Sequence, residues 1–387
     1  MSMMRFSNLE INKREVSLNA TYEDTVDLWF KFDREIEVTS TQVALAMATL
    51  CGTKYEQVIF DFEVDSRAVE TIQTVTSAEV TAVSTTQARP VSSSDGNVLS
   101  FSGGFDSLSA WRLMPEGTNL VSLDFGGWFE REAEFFRDFD TLIISTNARS
   151  EPTRKAPLTR NHWSFMAIGA ILAAGYFNSR YHTFGQIFGE SMARAPRTVA
   201  TLPVLSELGF REAGYARGLT EVGTASIILQ SDPLHVPDSL RSLAAPRDRK
   251  AFRKTAVSSI LADKHGIDVN IPAIDFGKSP KINFGDDYAS SLSAMYCMAK
   301  GNGQEIEGLF DHIPDKVRSL VKECTFDFME KVCWDAYSDF PRELVKGLCD
   351  NLIKYRLEPY TESDWDEVKQ VRTLLSEQHK IARENAK

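Results

Sequence analysis

The stretch Asn97–Trp111 reads Asn-Val-Leu-Ser-Phe-Ser-Gly-Gly-Phe-Asp-Ser-Leu-Ser-Ala-Trp, and it decides how the rest of the chain is interpreted. An apolar run followed by two adjacent glycines predicts a short buried strand and a sharp turn, with a helix from about Leu108. Adjacent glycines leave no Cβ in the way of an approaching anion. Asp106 and Ser107 are expected to cap the helix, whose first N–H groups and positive dipole end attract anions.

Composition and charge exclude several classes of protein. The chain has 387 residues, a net charge of −11 and five cysteines, none in a Cys-x-x-Cys pair. The acidic balance argues against a broadly basic nucleic-acid surface, and the cysteine spacing signals neither a zinc site nor a redox pair. No apolar run has the length of a membrane span, and the first residues lack the apolar core of a signal peptide. We therefore expect a cytoplasmic protein with no membrane partner and no zinc.

Three consecutive regions are predicted. Residues 1–90 carry strand signals, Thr71–Thr76 among them, with a helix over Thr41–Leu50, and indicate a small α+β module that packs on its neighbour or recruits a partner. Residues 97–290 alternate strands with helices, and a long apolar helix is expected over residues 161–177. This alternation predicts a doubly wound parallel sheet whose ligands lie beyond the carboxyl ends of the strands. Residues 291–387 indicate a helical region. The predicted fold class is α/β.

The hexapeptide Ser102-Gly103-Gly104-Phe105-Asp106-Ser107 resembles the Ser-Gly-Gly-x-Asp-Ser pyrophosphate loop, or PP-loop, of the N-type ATP pyrophosphatases. It differs from the Walker loop because no Gly-Lys-Ser/Thr follows the glycines. The resemblance implies an adenine nucleotide alpha-hydrolase-like fold. It also implies that ATP is split between its α and β phosphates while a carbonyl oxygen of the substrate is adenylated.

Three further elements are similar to the 7-cyano-7-deazaguanine synthase family: Leu123–Gly127, residues 157–161 and Phe184–Gln186. Two features of that family are missing, its four-cysteine zinc site and a Tyr-Pro-Asp-Cys element, in whose place stands the segment 189–194. The resemblance implies ligase chemistry, forming an amide or a nitrile, on a deazapurine-like or other acid. That acid is a small molecule or is attached to a macromolecule.

The resemblance also implies roles for individual residues. Asp106 caps the helix and binds Mg²⁺ beside the phosphates, Arg160 grips a carboxylate or phosphate, and Lys278 neutralises the departing pyrophosphate. For Arg160 a structural salt bridge is the alternative, and for Lys278 a surface position. Phe125 stacks on adenine or belongs to the core. The expected catalytic residues are Asp106, Arg160 and Lys278, and the expected ATP-binding residues are Ser100, Ser102, Gly103, Gly104, Phe105, Asp106, Ser107, Asp124, Phe125, Gly126 and Gly185.

The basic stretch 246–254 is interpreted as a solvated helix face in preference to a clamp for phosphates.

Two alternatives to the enzyme stay open. The whole chain could also be a nucleotide-binding module without turnover, or a scaffold in a multi-protein defence or modification system, docking through residues 1–90. A homodimer is left open.

Overall fold

The computed structural model describes residues 2–85, 94–150, 153, 158, 163–188, 192, 201–242, 249–273, 281–301 and 306–385. Ten strands are present in these ranges: β1 (Met3–Ile11), β2 (Glu15–Thr21), β3 (Thr25–Phe32), β4 (Gln57–Asp65), β5 (Glu79–Thr85), β6 (Asn97–Ser100), β7 (Asn119–Asp124), β8 (Thr141–Thr146), β9 (Tyr181–Phe184) and β10 (Arg211–Glu212).

Fourteen α-helices lie in the same ranges: α1 (Ser40–Cys51), α2 (Ser66–Thr76), α3 (Phe105–Leu113), α4 (Glu130–Phe136), α5 (Ile168–Leu172), α6 (Ala174–Phe177), α7 (Pro203–Glu207), α8 (Glu221–Ser231), α9 (Val236–Ser242), α10 (Arg249–His265), α11 (Tyr288–Ala299), α12 (Asp315–Glu323), α13 (Val345–Lys354) and α14 (Glu362–Asn385). Short 3₁₀ turns separate some of them: Gly127–Phe129, Trp163–Ala167, Pro233–His235, Asp327–Glu330, Trp334–Tyr337 and Arg342–Leu344. None of the helices described is both long and apolar enough to cross a membrane.

Residue contacts group the chain into two compact units. The first comprises Met1–Ser102, Pro115–Phe184 and Val199–Ala213, and the second comprises Gly103–Met114, Gly185–Thr198 and Gly214–Lys387. These units differ from the three consecutive regions expected, 1–90, 97–290 and 291–387, because the chain passes more than once between them.

The first unit contains the sheet, in the order β10-β9-β6-β7-β8-β3-β2-β1-β4-β5. The five strands β10, β9, β6, β7 and β8 are parallel to one another. Antiparallel pairs then connect β8 to β3, β3 to β2 and β2 to β1, and β4 and β5 are parallel to β1. The protein is therefore α/β with a large, mostly parallel sheet, as predicted. Residues 1–90, expected as a module apart, contribute five strands to this same sheet.

The strand order reverses at β6. Strands β7 and β8 follow on one side of β6, whereas β9 and β10 lie on the other. In open α/β sheets the crevice at such a reversal, beyond the carboxyl ends of the strands, is the usual place for a ligand. In the chain, β6 is followed by Phe101–Gly104, and its neighbour β9 is followed by Gly185.

The core of the first unit is built on α1, which is buried from Thr41 to Cys51. A capping box holds its start: Thr39 Oγ1 accepts from the Gln42 N–H, and Gln42 Oε1 accepts from the Thr39 N–H. The Gln42 amide also donates to the carbonyls of Ile171 and Leu172 at 2.9 and 3.1 Å, at the end of α5. The predicted helix over Thr41–Leu50 is confirmed.

Two sequence-based predictions of secondary structure are wrong. Thr71–Thr76 is helical, within α2, because Asp65 caps the helix by accepting from the Arg67 N–H at 3.0 Å, and residues at helical spacing, Ala68, Ile72 and Thr76, are buried. The expected long helix 161–177 is divided, over its described part, into the 3₁₀ turn at Trp163–Ala167 and the short helices α5 and α6.

The second unit is helical. Helix α3 packs against α8, α8 against α10, and α10 against α11. The end of α3 is fixed by Arg112, whose guanidinium forms a two-pronged ion pair with Asp232, and by Asn351, whose amide donates to the Leu113 carbonyl at 2.9 Å.

Candidate active site

The glycine turn leads directly into α3. Gly103 has φ +70°, a backbone conformation that favours glycine, and Gly104 is the N-cap in extended conformation. The Leu108 N–H and the Ser107 hydroxyl both donate to the Gly104 carbonyl, at 2.9 and 3.0 Å. The helix thus begins at Phe105 and not at Leu108. Asp106 and Ser107, expected as caps, lie instead in its first turn, and the N-cap residue, Gly104, has no side chain that could cap the helix.

The N–H groups at this helix start have no acceptor among the residues that the structure describes. Within the described part of the chain, the N–H groups of Gly103, Gly104, Phe105 and Asp106 donate no hydrogen bond. The Gly103 carbonyl, by contrast, accepts from the Ser239 hydroxyl at 2.8 Å, which fixes the turn. Unsatisfied donors at the positive end of a helix dipole form an anion-binding site.

The Asp106 carboxylate is held by a lysine and a threonine. Its Oδ1 accepts from Lys254 Nζ and from Thr224 Oγ1, each at 3.1 Å. Burial alone would raise the pKa of Asp106, but the charges of Lys254 and Lys250, with the hydrogen bonds from Lys254 and Thr224, lower it. Asp106 is therefore ionised and held toward α8 and α10.

Two lysines one turn apart on α10 form the cationic part of the site. The Lys254 side chain is 3% exposed, and its ammonium lies 5.3 Å from the centre of the Phe105 ring. Burial, and then repulsion by Lys254, lower the pKa of the Lys250 ammonium, whereas Asp106 and Glu221 act to raise it. Two ammonium groups thus act on the Asp106 carboxylate in the first turn of α3.

A second ion pair lies on the same helix. Arg253 Nε and Nη2 donate to the two oxygens of Glu221 at 2.7 and 2.8 Å, and Nη1 lies 3.5 Å from Asp287 Oδ2. Burial would lower the pKa of Arg253, but Glu221 and then Asp287 raise it. The preferred reading of 246–254 as a solvated face is wrong for Arg253 and Lys254, because both turn inward; Arg249 is exposed, and 246–248 lie outside the described residues.

Gly185, which follows β9, lies against the first turn of α3. A Cβ at this position would be 2.8 Å from the Ser107 nitrogen and 2.9 Å from its Cα. No side chain fits there, so the residue has to be glycine for the two backbones to approach this closely.

Other expected nucleotide-binding residues belong to the first unit. Asp124 Oδ1 accepts from the Gly126 N–H at 2.9 Å, and Oδ2 accepts from the Ser145 hydroxyl at 3.1 Å, so this carboxylate shapes the turn after β7. Phe125 is buried and meets the rings of Phe129 and Phe165 edge to face. Ser102 is partly buried.

Ser100, also in the first unit, belongs to a buried polar chain. Its hydroxyl lies 2.9 Å from His182 Nε2, and His182 Nδ1 lies 3.6 Å from Glu212 Oε2. The chain crosses three neighbouring strands, β6, β9 and β10, on one face of the sheet.

Arg160 and Lys278 lie outside the described residues. For Mg²⁺, no group of three or more His, Cys, Asp or Glu side chains that could hold a metal ion occurs among the residues described. Mg²⁺ with a nucleotide needs only one or two carboxylates besides the phosphates. Asp106 fits this demand, because both hydrogen bonds described for its carboxylate fall on Oδ1 and its side chain is 26% exposed.

No family model matches this chain, and no curated protein or solved structure is significantly similar to it. The resemblance to the N-type ATP pyrophosphatases therefore rests on the hexapeptide and the three shorter elements of the sequence.

The residues that sequence reasoning missed are those that reach the loop from distant helices. Thr224 and Glu221 gave no signal of their own. Lys250, Arg253 and Lys254 were visible only as a basic run, in which the spacing of 250, 253 and 254, three and four residues apart, marks one helix face.

Proposed function

We propose that this protein adenylates a carboxylate with ATP and releases pyrophosphate, as an N-type ATP pyrophosphatase. One observation carries the proposal: the N–H groups at the start of α3 have no acceptor among the described residues, and on the same turn stands Asp106, whose carboxylate pairs with Lys254 of α10. Fixed donors and fixed cations are what a departing pyrophosphate requires. The reversal of strand order at β6 supports assigning the sheet to the adenine nucleotide alpha-hydrolase-like class.

The proposed step needs positioning more than covalent help from the protein. A carboxylate oxygen of the acceptor forms a bond to the α-phosphorus, and the bond from that phosphorus to the α,β-bridging oxygen breaks. Pyrophosphate leaves with the electron pair, and an acyl adenylate remains, with no net transfer of a proton. The N–H groups of Gly103–Asp106 bind the pyrophosphate oxygens, and Lys254 and Lys250 offset the charge that builds on them.

Mg²⁺, when bound, neutralises phosphate charge and orients the phosphate oxygens. Asp106, through Oδ2, would hold it together with the phosphates. Its Oδ1 stays on Lys254 and Thr224, which fixes the direction of the carboxylate. Asp124, Phe125 and Gly126 remain proposed for adenosine, and Arg160 and Lys278 remain proposed for substrate and pyrophosphate.

The experiment is product analysis with α-labelled ATP and a panel of carboxylic acids. We expect AMP and pyrophosphate, and a loss of about 100-fold in rate for Lys254→Met, because one fixed charge at a developing anion contributes that much. Lys264→Met is the matched control: it lies on the same helix, its ammonium pairs with Glu330, and it is half exposed.

The opposite outcomes are specific. ADP and phosphate would contradict the proposal outright. Tight ATP binding with no AMP for any acid in the panel would favour the nucleotide-binding module. Equal rates for Lys254→Met and Lys264→Met would remove Lys254 from the mechanism.

A further inference from the structure

The second unit contains a cavity of about 230 Å³ that the proposed ATP chemistry does not use. It lies among the start of α8, the second turn of α10 and the start of α11. Most of its wall is apolar and one end is charged. The residues that define these two parts are Ile187, Phe188, Leu292 and Met329 for the apolar wall, and Glu221 and Arg253 for the charged end.

The charged end retains donors for a ligand. Arg253 directs one N–H from Nε and one from Nη2 to Glu221, in a bidentate pair. Its Nη1 reaches Asp287 only at 3.5 Å, which is longer than a normal N–H···O bond. Because a guanidinium has five N–H donors, Arg253 can still bind a carboxylate while Glu221 holds its plane.

This charged end is connected to the glycine turn. Glu221 and Thr224 lie one turn apart on α8, and Thr224 donates to Asp106. Arg253 and Lys254 are neighbours on α10, and Lys254 pairs with Asp106. A carboxylate bound by Arg253 would therefore lie at the end of the cavity whose residues neighbour Thr224 and Lys254, the two partners of Asp106.

We propose that this cavity binds the acceptor, and that the acceptor is a small monocarboxylic acid with an apolar or aromatic body. The apolar wall takes the body, and Arg253 takes the carboxylate. The volume equals that of about eight water molecules, which suits a single ring or a short branched chain. The role as acceptor rests on the proposed function, whereas binding of the acid does not.

The anion is favoured over an amine by the N–H donors that Arg253 has left at this end of the cavity, because a guanidinium donates hydrogen bonds and accepts none. Glu221 is already neutralised by Arg253, and Asp287 is the N-cap of α11, at the positive end of that helix dipole. Lys250 and Lys254 lie within one turn of Arg253 on α10, and their charges offset those of Asp106 and Asp287. The titratable groups around Arg253 are thus Glu221, Asp287, Asp106, Lys250 and Lys254.

The test is a titration of the protein, without ATP, with benzoate and with 3-phenylpropanoate. Binding is monitored by ligand-observed NMR. Benzamide and benzylamine serve as neutral and cationic analogues. We expect both acids to bind and both analogues to bind at least about tenfold more weakly, since they cannot pair with Arg253. Arg253→Lys should weaken acid binding by about tenfold, because the planar fork is lost.

Filling the cavity provides a second arm. Ala289, on α11, lines the cavity, and Ala289→Phe should abolish acid binding. Ala299→Phe is the matched control, at the other end of the same helix and away from the lining residues, and should leave acid binding within about twofold. Thermal unfolding of each variant checks that the fold is retained.

The outcomes separate the two proposals. Acid binding that Ala289→Phe abolishes, without AMP formation from ATP, keeps the cavity assignment and removes the adenylation. AMP formation with acids that Ala289→Phe does not impair keeps the adenylation and overturns the cavity assignment. Binding of neither acid, equal binding of benzamide, or preference for benzylamine also overturns it.

Discussion

At the scale of single residues, Gly185 is a position that has no space for a Cβ atom. Gly185→Ala would place a Cβ 2.8 Å from the Ser107 nitrogen, so backbone must move. We expect a loss of roughly 1–3 kcal/mol in the free energy of unfolding, and weaker pyrophosphate binding because the start of α3 shifts. Urea denaturation and calorimetric titration measure these two effects.

Gly175→Ala is the control for this substitution. A Cβ at Gly175 would meet no neighbouring atom within 4 Å, and the residue lies in α6, so alanine should be neutral or stabilise by up to about 1 kcal/mol. If both alanines proved equally harmless, the close approach at Gly185 would have no structural role.

The pairing of Asp106 with Lys254 makes a double-mutant cycle informative. Asp106→Asn and Lys254→Met each leave a charged partner in a site of low exposure, and each should destabilise the fold. The double variant should lose less free energy of unfolding than the sum of the losses in the two single variants, with a coupling energy of roughly 1–3 kcal/mol. Urea unfolding at neutral pH measures it, and additive effects would show that the two side chains act independently.

Lys250 gives the site a dependence on pH. Its pKa lies below 10.5 because of burial and of repulsion by Lys254, and a bound pyrophosphate would raise it again. Binding therefore takes up protons, and affinity should be full below the lowered pKa and fall as the pH rises through it. Titration calorimetry in two buffers of different ionisation enthalpy measures the uptake. Lys250→Met should abolish it, and unchanged proton uptake in that variant would assign the effect to another group.

At the scale of elements, the N-cap Asp65 explains why α2 is a helix although its residues have high β-propensity. Threonine and valine suggested a strand over Thr71–Thr76, but Asp65 starts a helix there. Asp65→Ala should lower the free energy of unfolding by about 1 kcal/mol. The control is Asp61→Ala on the exposed face of β4, where an ion pair with Arg5 contributes roughly 0–1 kcal/mol. A larger effect at Asp61 than at Asp65 would contradict the role of the cap.

Local patterns predicted the site only in part. The sequence around Gly103 predicted the strand, the turn and the helix, because these depend on neighbours in the chain. The partners of Asp106 could not be read in the same way: Thr224 is 118 residues away and Lys254 is 148 residues away. The composition of the stretch 246–254 does not distinguish a buried basic cluster from a solvated basic helix. Only the spacing of its basic residues on α10 indicated that they share one face.

At the scale of the whole molecule, the continuous sheet argues against an independent N-terminal module. β3 pairs with β8 through Phe30–Thr146, Lys31–Ser145 and Phe32–Ile144. The Gln42 amide satisfies carbonyls at the end of α5. A chain without residues 1–93 would expose the edge of β8 and the apolar surface that α1 covers.

We therefore expect the fragment 94–387 to lack a cooperative unfolding transition and to aggregate. Supplying residues 2–85 as a separate chain should restore both the transition and pyrophosphate binding, since the lost edge and the buried face are then covered again. Chemical denaturation of the fragment, alone and with its complement, measures this. Cooperative unfolding of 94–387 alone, with full pyrophosphate affinity, would mean that the shared sheet contributes little and that residues 1–90 are an attachment to a self-sufficient domain.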